Sequence, residues 1–418
     1  MRFLPFAVAL VSGTLAGAVT CAGFVVRRSR LAMAGVVATA TAAILVAATA
    51  AVWSQSGRAD TSIASLFIAI GALAGGYALA AELLPAVARH RPTHTVLGSV
   101  APNGSIGVLL LADAESEVYR ASDVTRDMDT LERSDVPLPP HIARPFVYAS
   151  ERARYKTGEG SPARAAVHAV ATALAARLRA DGIADSVEVA FCTGASSAPE
   201  AATRLAAASG GHIVIAALTV AWTPAFDAAA AEIHALDPGR SHLAVETTEP
   251  LWASHALAVR AAERAFGAFG EAGIVDGVVL VTRGNPWQID RLFPAAMEQS
   301  TYLSQRIRAE LIESGLPAER IRQAWMEWEE PDVREAVRHL AALGASHVAL
   351  VPVDLLFSTL ATTVDLPMAA ERACLESDVR VALVDPLGDD PAVIAALRKA
   401  VTGAARRSRS DEEHAQAD

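Results

Sequence analysis

The chain is poor in cysteine and in aromatic residues, and it has no excess of basic residues. Its three cysteines, Cys21, Cys192 and Cys374, are far apart and show no CxxC or Cys/His ligand spacing. A disulfide framework or a structural zinc site is therefore not expected. The formal net charge is −10, and no stretch interleaves basic with aromatic residues. This composition argues against a nucleic-acid partner.

Two motifs that often carry catalysis are also missing from the sequence. No Gly-rich phosphate loop occurs, and Gly194-Ala195-Ser196 lacks the flanking residues of a serine nucleophile elbow. The sequence therefore gives no sign of a nucleotide-binding loop or of a serine hydrolase.

Hydrophobic residues, by contrast, make up 52% of the chain, and the excess lies near its beginning. Phe3–Val26, Leu31–Trp53 and Ile63–Ala81 are apolar runs without a charge, each near the ~20 residues with which a helix crosses a bilayer. They predict three transmembrane helices within residues 1–89. A cleaved signal peptide is the alternative for the first run, but the run is about twice the usual length of such a core.

Basic residues flanking the runs predict an orientation in the membrane. Arg27, Arg28 and Arg30 lie in the first loop, and Arg89 and Arg91 follow the third run. By the positive-inside rule, the N-terminus is expected outside and the remainder of the chain in the cytoplasm. The expected localisation is thus a multi-pass protein of the cell membrane with a cytoplasmic soluble domain.

Glycine pairs in two of these runs have the spacing that permits close helix packing. Gly13 and Gly17 form one GxxxG pair, and Gly71 and Gly75 form the other. The alternative is that both runs are simply Ala/Gly-rich helices.

The remaining sequence contains an internal repeat. Ser186–Ile233 and Arg320–Ala370 each read as a strand, a polar turn, an amphipathic helix, a second apolar strand and the start of another helix. Strands that alternate with helices of this length indicate parallel α/β units. The fold class predicted after the membrane segment is therefore α/β, with two similar parallel-sheet lobes and a cleft between them. The expected boundaries are a linker at 90–105, lobes at 106–270 and 271–403, and a disordered tail at 404–418.

The pattern also predicts the individual elements, apart from 112–150, which is expected to be mostly loop with short helices. Apolar runs predict strands at Ile106–Leu111, Val187–Cys192, His212–Thr219, Gly277–Thr282, Ile321–Trp328, His347–Val353 and Val379–Val384. Helical periodicity predicts helices at Ser161–Arg179, Ala198–Ala208, Phe226–His234, Pro250–Ala268, Gln299–Glu313, Asp332–Leu343, Met368–Glu376 and Pro391–Val401.

Several short motifs, taken in order, resemble the ferrochelatase family and in particular its actinobacterial coproporphyrin ferrochelatases. These motifs are Tyr155 with Gly160-Ser161-Pro162, Trp222–Phe226, Trp325–Pro331, Val351-Pro352 with Leu355–Leu366, and Arg380–Val401. The resemblance covers roughly Ile106–Val401, and it implies the chelatase fold, with a tetrapyrrole cleft between two lobes.

The resemblance also implies a histidine and a carboxylate that face each other and insert the metal. Arg283 occupies the histidine position, and a guanidinium can neither accept a proton nor ligate a cation. Ala361 occupies the glutamate position, and only Asp365 keeps a carboxylate nearby. The chelatases of the anaerobic B12 branch place a histidine near the same spot, followed by a stretch that Asp365-Leu366-Pro367 fits. The resemblance thus implies a ferrochelatase-like protein that has lost its metal-insertion residues.

Some residues at the expected strand ends remain candidates for ligand binding. Arg283, Asn285, Trp287, Trp222 and Asp365 are expected to cluster there, with Arg283 on an anionic group such as a propionate and the tryptophans on a flat macrocycle. Alternatively, Arg283 pairs with Asp365 or a neighbouring acid, and the tryptophans cap a core.

By resemblance, Tyr155 and Ser161 join these ligand-binding candidates. No metal ligand and no cofactor is assigned, and a porphyrin or haem is the candidate ligand.

Three functional hypotheses follow from this interpretation. The leading one is a membrane-anchored ferrochelatase-like protein that binds a tetrapyrrole or a related anionic ligand. The second is a divergent chelatase that inserts iron or another divalent metal with the help of Asp365. The third is a membrane scaffold without enzymatic activity.

Overall fold

The computed structural model describes residues 4–25, 70–81, 105–192, 198–209, 211–236, 244–270 and 273–417. Within them the helices are α1 Leu4–Val25, α2 at 70–81, α3 Ala121–Arg133, α4 Arg144–Thr157, α5 Ala163–Ala180, α6 Ala198–Ser209, α7 Pro224–His234, α8 His255–Phe266, α9 Trp287–Leu292, α10 Pro294–Glu313, α11 Val333–Ala342, α12 Leu366–Glu376 and α13 Pro391–Ala417. The strands are β1 Gly107–Ala112, β2 Ser186–Phe191, β3 His212–Ala217, β4 Ala244–Thr247, β5 Gly277–Thr282, β6 Ile321–Trp325, β7 His347–Pro352 and β8 Arg380–Leu383.

The strands form two four-stranded sheets of the same order. The first sheet runs β2-β1-β3-β4 and the second β6-β5-β7-β8, and every pairing in both is parallel. Each strand of the first sheet thus has a counterpart in the second, as the repeat in the sequence indicates. The α/β class with two parallel-sheet lobes is confirmed.

Apolar strands are buried at the centre of each lobe. β1 and β5 are buried along their whole length, which explains why both read as continuous apolar runs rather than alternating ones. The edge strand β8 is exposed or half-buried throughout. This difference places β1 and β5, and the residues that follow them, at the centre of each sheet.

Helices cover both faces of the two sheets. The largest core cluster combines alternate residues of β1, β3, β5 and β7 with buried residues of α5, α8, α10 and α13. The opposite faces of the sheets form separate clusters, one with α6 and α7 and one with α11 and α12. The two lobes therefore share a single inner core.

The chain divides into two compact units, and both lobes belong to the second. The first unit comprises Met1–Arg91 and Val118–Thr157, and the second comprises Pro92–Glu117 and Gly158–Asp418. Inside the first unit, α3 and α4 are joined by a buried contact of 2.8 Å between the hydroxyls of Thr125 and Tyr148.

The close contact between α1 and α2 involves one of the glycines that the spacing selected. A Cβ on Gly17 would meet the carbonyl oxygen of Leu73, and one on Gly76 would meet that of Thr14, whereas Gly71 and Gly75 have nothing within 4 Å. Gly17 and Gly76 therefore allow the two helices to approach each other closely. The predicted pair Gly71 and Gly75 does not lie at this contact.

The predicted membrane spans are not supported by the structure. Among the described residues, no helix has the length and apolar character needed to cross a membrane. This finding corrects the predicted span at Phe3–Val26 and, for the described residues 70–81, the one at Ile63–Ala81, whose residues 63–69 lie outside the described part of the chain. It also corrects three predictions that were based on these spans: integration into a membrane, an N-terminus outside the cell and a cell-membrane localisation. The second apolar run, Leu31–Trp53, lies outside the described residues.

Some elements differ from the expectation for local reasons. The stretch 112–150 contains the helices α3 and α4, and Pro145 is tolerated because it is the second residue of α4. The strand β4 is a short, half-buried edge strand with little apolar signal. The last helix continues past Val401 to Ala417, with Ala404 and Ala405 buried.

Candidate functional site

Charged residues follow the central strands of both lobes. Asp113 comes directly after β1, and Arg283 comes directly after its counterpart β5. Cys192 follows β2, and Asp354 lies two residues beyond β7. In parallel sheets, ligands bind beyond the carboxyl ends of the strands. We call Asp113, Cys192, Arg283 and Asp354 the strand-end site.

The backbone of Arg283 is held on both sides. Its N–H donates to both carboxylate oxygens of Asp354, at 3.1 Å each, and its carbonyl accepts the N–H of Glu327 at 3.0 Å. The next residue, Gly284, has φ of +82°, and a Cβ there would lie 2.1 Å from the Glu327 carbonyl oxygen. Only glycine fits this turn, which fixes the position from which the Arg283 side chain departs.

Arg283 acts electrostatically on carboxylates of both lobes. Burial raises the pKa of Asp354 to about 6, and the negative charge of Glu329 adds to this, while the backbone hydrogen bond from Arg283 and its positive charge oppose it. Burial also raises the pKa of Asp113, again against the positive charge of Arg283. A single guanidinium thus stabilises the ionised forms of two poorly solvated carboxyl groups.

Two further acids lie next to this site. The side-chain amide of Asn285 donates to Asp290 at 3.2 Å, and its backbone N–H donates to Glu329 at 3.5 Å. Burial raises the pKa of both carboxyls, and the charge of Asp290 raises that of Glu329 further. The surroundings of Arg283 are therefore rich in carboxylates that accept protons more readily than free ones.

The cysteine of the strand-end site is a protonated thiol. Cys192 is half-buried, and burial raises its pKa well above the ordinary value, with an added contribution from the charge of Asp113. A thiolate is the nucleophile and the metal ligand. Burial and the charge of Asp113 therefore favour the thiol form of Cys192 over the thiolate.

A carboxylate joins the loops of the two lobes beside the strand-end site. Oε1 of Glu115, in the loop after β1, accepts the hydroxyl of Ser161 at 2.6 Å and the backbone N–H of Leu360 at 2.5 Å. Leu360 precedes a single π-helical turn, Ala361–Asp365, that leads into α12. We call this contact the Glu115 clasp. Ser161, expected to bind ligand, uses its hydroxyl in the clasp.

The aromatic candidates have different surroundings. Trp287 is 65% exposed, and the guanidinium of Arg291 lies 5.2 Å from its ring. The ring of Trp222 packs edge-on against Phe226 at 5.0 Å. Tyr155, in the first unit, is buried and lies edge-on to Tyr119 at 6.1 Å. Of these three, Trp287 presents the largest free aromatic surface.

Asp365, the acid expected beside Arg283, ends the π-helical turn. The carboxylate that contacts the Arg283 backbone is Asp354. Among the described residues, no three His, Cys, Asp or Glu side chains are grouped so as to hold a metal ion.

The most informative comparison concerns the second lobe. Residues 298–404 match the model of the CbiX chelatase family, which is about a quarter of the chain. This part of the second lobe is therefore similar to the CbiX family. No curated protein matches the chain significantly.

Several solved structures are similar to this chain at low identity. SirB from Bacillus subtilis with Fe3+ is 13% identical with a TM-score of 0.45, and the match covers 73% of this chain and 98% of that one. SirB from the subspecies spizizenii, a sirohydrochlorin chelatase in complex with cobalt, is 11% identical with a TM-score of 0.44. That match covers 73% of this chain and 97% of that one. A multi-domain protein from Deinococcus radiodurans with structural similarity to chelatases is 16% identical with a TM-score of 0.42. That match covers 72% of this chain and 55% of that one.

Asp113, Cys192 and Asp354 were not predicted as site residues, although the sequence holds a signal for the two aspartates. Asp113 is the repeat counterpart of Arg283, because each directly follows the central strand of its sheet. Asp354 is the first charged residue after the buried strand β7. The repeat at Ser186–Ile233 and Arg320–Ala370 begins after β1 and β5, so it does not include Asp113.

Proposed function

We propose that the strand-end site binds a tetrapyrrole or a related anionic ligand, with Arg283 as its cationic contact and Trp287 as a stacking surface. The observation that supports this proposal best is the position of Arg283 at the end of β5, where its charge acts on carboxylates of both lobes. The bonds to its backbone from Asp354 and Glu327 fix it there. A guanidinium can bind a carboxylate group with two parallel hydrogen bonds.

The exposed ring of Trp287 supports the same proposal. It lies four residues after Arg283 and is the first residue of the short helix α9. An aromatic ring that is mostly exposed offers a flat apolar surface for a macrocycle. Asn285, between the two residues, is held by Asp290 and Glu329. These contacts restrain the backbone between Arg283 and Trp287.

A second candidate function is metal insertion by different residues. A chelatase must take up protons from the pyrrole nitrogens, and Arg283 and Ala361 cannot do this. Asp113 and Asp354 are carboxyl groups whose pKa values are raised by burial, as is typical of general bases that work near neutral pH. This observation favours a divergent chelatase that uses carboxylates, with the divalent metal ion as a substrate.

One titration tests both candidates. The full chain is mixed anaerobically with coproporphyrin or protoporphyrin, first alone and then with ferrous iron, and the Soret and longer-wavelength bands are followed. Binding without chemistry gives a saturable shift, whereas metal insertion gives a metalloporphyrin spectrum that depends on the protein. The absence of any spectral change with either porphyrin would contradict both.

Two arginine variants show whether binding in this titration occurs at the strand-end site. Arg283→Ala is expected to weaken binding at least tenfold, because it removes the cationic contact. Arg338→Ala is the matched control, since Arg338 is an exposed arginine of α11 that pairs with Glu335 at 3.6 Å. Equal loss in both variants would argue against a specific role of Arg283.

A further inference from the structure

Two buried hydrogen-bond donors in the Glu115 clasp are satisfied by a carboxylate of the chain itself. The Ser161 hydroxyl and the Leu360 N–H both donate to Oε1 of Glu115, at 2.6 and 2.5 Å. Ser161 is 7% exposed, and Leu360 is completely buried. Buried donors of this kind require an acceptor. The two donors therefore form a binding position for a carboxylate oxygen, and Glu115 occupies it.

Both donors are held by contacts that do not involve the carboxylate. The backbone N–H of Ser161 donates to the carbonyl of Glu117 at 3.0 Å, and the Ser161 hydroxyl accepts the N–H of Ala163 at 3.2 Å. A Cβ on Gly158 would lie 2.9 Å from the side chain of Leu360, so the turn before α5 packs directly against that residue. The fold thus positions the donors independently of the group that they bind.

A third donor lies next to this position in the chain. Thr359, directly before Leu360, is 8% exposed, and its buried hydroxyl has no hydrogen-bond partner within the described part of the chain. Buried hydroxyls are normally hydrogen-bonded. Glu115 uses one oxygen, Oε1, for both of its donors. The turn at Thr359 and Leu360 therefore offers more donors than Glu115 satisfies.

The clasp lies beside the strand-end site along both chain segments. Glu115 comes two residues after Asp113, and Leu360 comes six residues after Asp354. Glu115 is half-buried, so its carboxylate can be released into water. A ligand carboxylate offers the same donors the same kind of acceptor. Exchanging one carboxylate for the other therefore leaves no buried donor unsatisfied.

We propose that the Ser161 hydroxyl and the Leu360 N–H bind a carboxylate of the ligand, and that Glu115 occupies this position until the ligand displaces it. The inference rests on the proposed function, in which the site binds an anionic tetrapyrrole. It adds a second anchoring point to Arg283 and identifies a residue of the chain that competes with the ligand. No covalent bond changes in this exchange.

Glu115→Ala tests the competition through the sign of its effect. Removal of the competing carboxylate is expected to tighten the binding of coproporphyrin, which carries several carboxylates, by about tenfold in a Soret titration of the full chain. Glu117→Ala is the matched control, because it removes the same charge from an exposed side chain of the same loop. It should change the affinity by less than about twofold.

Ser161→Ala tests the donor in two backgrounds. With Glu115 present, the free protein and the complex each lose one hydrogen bond, so the affinity should change little. In the Glu115→Ala background only the complex loses a bond, and binding should weaken by about tenfold. Equal weakening in both backgrounds would show a purely structural role of Ser161. The absence of weakening in both would show that the ligand does not contact it, and either result overturns the inference.

Hydrogen exchange of the Leu360 amide gives a second measurement on Glu115→Ala alone. Saturating coproporphyrin should slow this exchange at least tenfold, because a ligand carboxylate replaces the missing acceptor. Amides of the edge strand β8 report any general stabilisation by the ligand. If Glu115→Ala does not fold, Glu115→Gln takes its place, since it keeps an acceptor oxygen without the charge. The gain in affinity then has the same sign and a smaller size.

The outcomes separate this inference from the proposed function. Porphyrin binding that is no tighter in Glu115→Ala than in the natural protein, or a Leu360 amide that stays unprotected in the complex, would overturn the inference and leave the proposed function intact. Equal gains in Glu115→Ala and Glu117→Ala would show that only the charge of the loop matters, which also overturns it. No porphyrin binding in any of these proteins would overturn both.

Discussion

At the scale of single residues, Asp354 best shows how burial and hydrogen bonding oppose each other. It is half-buried, accepts two contacts from one backbone N–H, and still has a pKa of about 6. Its hydrogen bonds therefore offset only part of the cost of removing the carboxylate from water. A group of this kind costs stability when it is ionised, and it persists here because it holds the Arg283 loop.

The raised pKa of Asp354 makes stability depend on pH. The folded chain keeps this proton up to about pH 6, whereas the unfolded chain loses it near its ordinary pKa of ~3.9. Between roughly pH 4 and pH 6 the native state binds more protons, so the free energy of unfolding falls as the pH rises. Urea denaturation should show this slope in the natural protein and not in Asp354→Asn. Parallel pH profiles of the two proteins would contradict the assignment.

At the scale of elements, the turn after β5 depends on Gly284. Gly284→Ala would place a Cβ 2.1 Å from the carbonyl oxygen of Glu327, in addition to the strain of φ at +82°. The backbone of Arg283 or of Glu327 must then move. We expect a loss of about 2 kcal/mol or more in the free energy of unfolding, with weaker porphyrin binding.

Gly388→Ala is the matched control for that turn. Gly388 also has positive φ, at +58°, but its nearest atom to a new Cβ is 3.9 Å away. The strain of the positive φ alone then predicts a loss of about 1 kcal/mol in the free energy of unfolding. Porphyrin binding should be unchanged. Equal effects of the two substitutions in chemical denaturation would show that the close approach at Gly284 is unimportant.

The start of α13 provides a test of how the last helix is held. Asp390 accepts the N–H of Ala392 at 3.0 Å and the guanidiniums of Arg260 and Arg264 at 2.8 Å each. Burial acts to raise its pKa, but these bonds outweigh burial and lower it. Asp390 therefore ties α13 to α8.

Asp390→Ala is expected to lower the free energy of unfolding by about 1 to 2 kcal/mol, because it removes a helix cap and one carboxylate partner of two partly exposed arginines. Asp389→Ala, one residue earlier and exposed, should cost at most about 0.5 kcal/mol. Urea denaturation at neutral pH distinguishes them. A small effect of Asp390→Ala would mean that the ion pairs contribute little.

Elements with a strong pattern were predictable from the sequence. β5 is observed at the predicted bounds, and β1 and β7 are shifted by at most one residue, because fully buried parallel strands read as unbroken apolar runs. The edge strand β4 was missed because its partial burial and short length leave no periodic signal. The end of α13 was missed because the charged segment after Val401 suggested disorder, although Ala404 and Ala405 pack against the core.

The site was predictable only in part, for a related reason. Arg283 follows a recognisable strand, so its place at a strand end could be inferred. Its contact with Asp354 depends on the register between β5 and β7, in which Val281 pairs with Pro352, and register cannot be read from one strand alone.

At the scale of the whole molecule, two similar sheets share one core but differ at their strand ends. The counterparts Asp113 and Arg283 carry opposite charges, and Thr219 is the counterpart of Asp354. The repeat thus preserves the packing positions, while the residues beyond the strands have diverged. Such loop divergence on a fixed scaffold is how one fold acquires different sites.

The Glu115 clasp is the contact that joins the two lobes beside the site. Glu115→Ala removes the acceptor of Ser161 and of the Leu360 N–H. We expect the Leu360 amide to exchange with deuterium at least tenfold faster, since it loses its hydrogen-bond partner. Amides in β1 and β5 should keep their protection. Unchanged exchange at Leu360 would show that the clasp is not maintained in solution.

A Soret titration of the full chain with coproporphyrin, comparing the natural protein with Arg283→Ala and Arg338→Ala, decides whether Arg283 holds the ligand. We expect a saturable shift in the natural protein and in Arg338→Ala, and at least tenfold weaker binding in Arg283→Ala. Binding of equal strength in all three proteins, or no shift in any of them, would contradict the claim that Arg283 at the strand-end site holds an anionic tetrapyrrole.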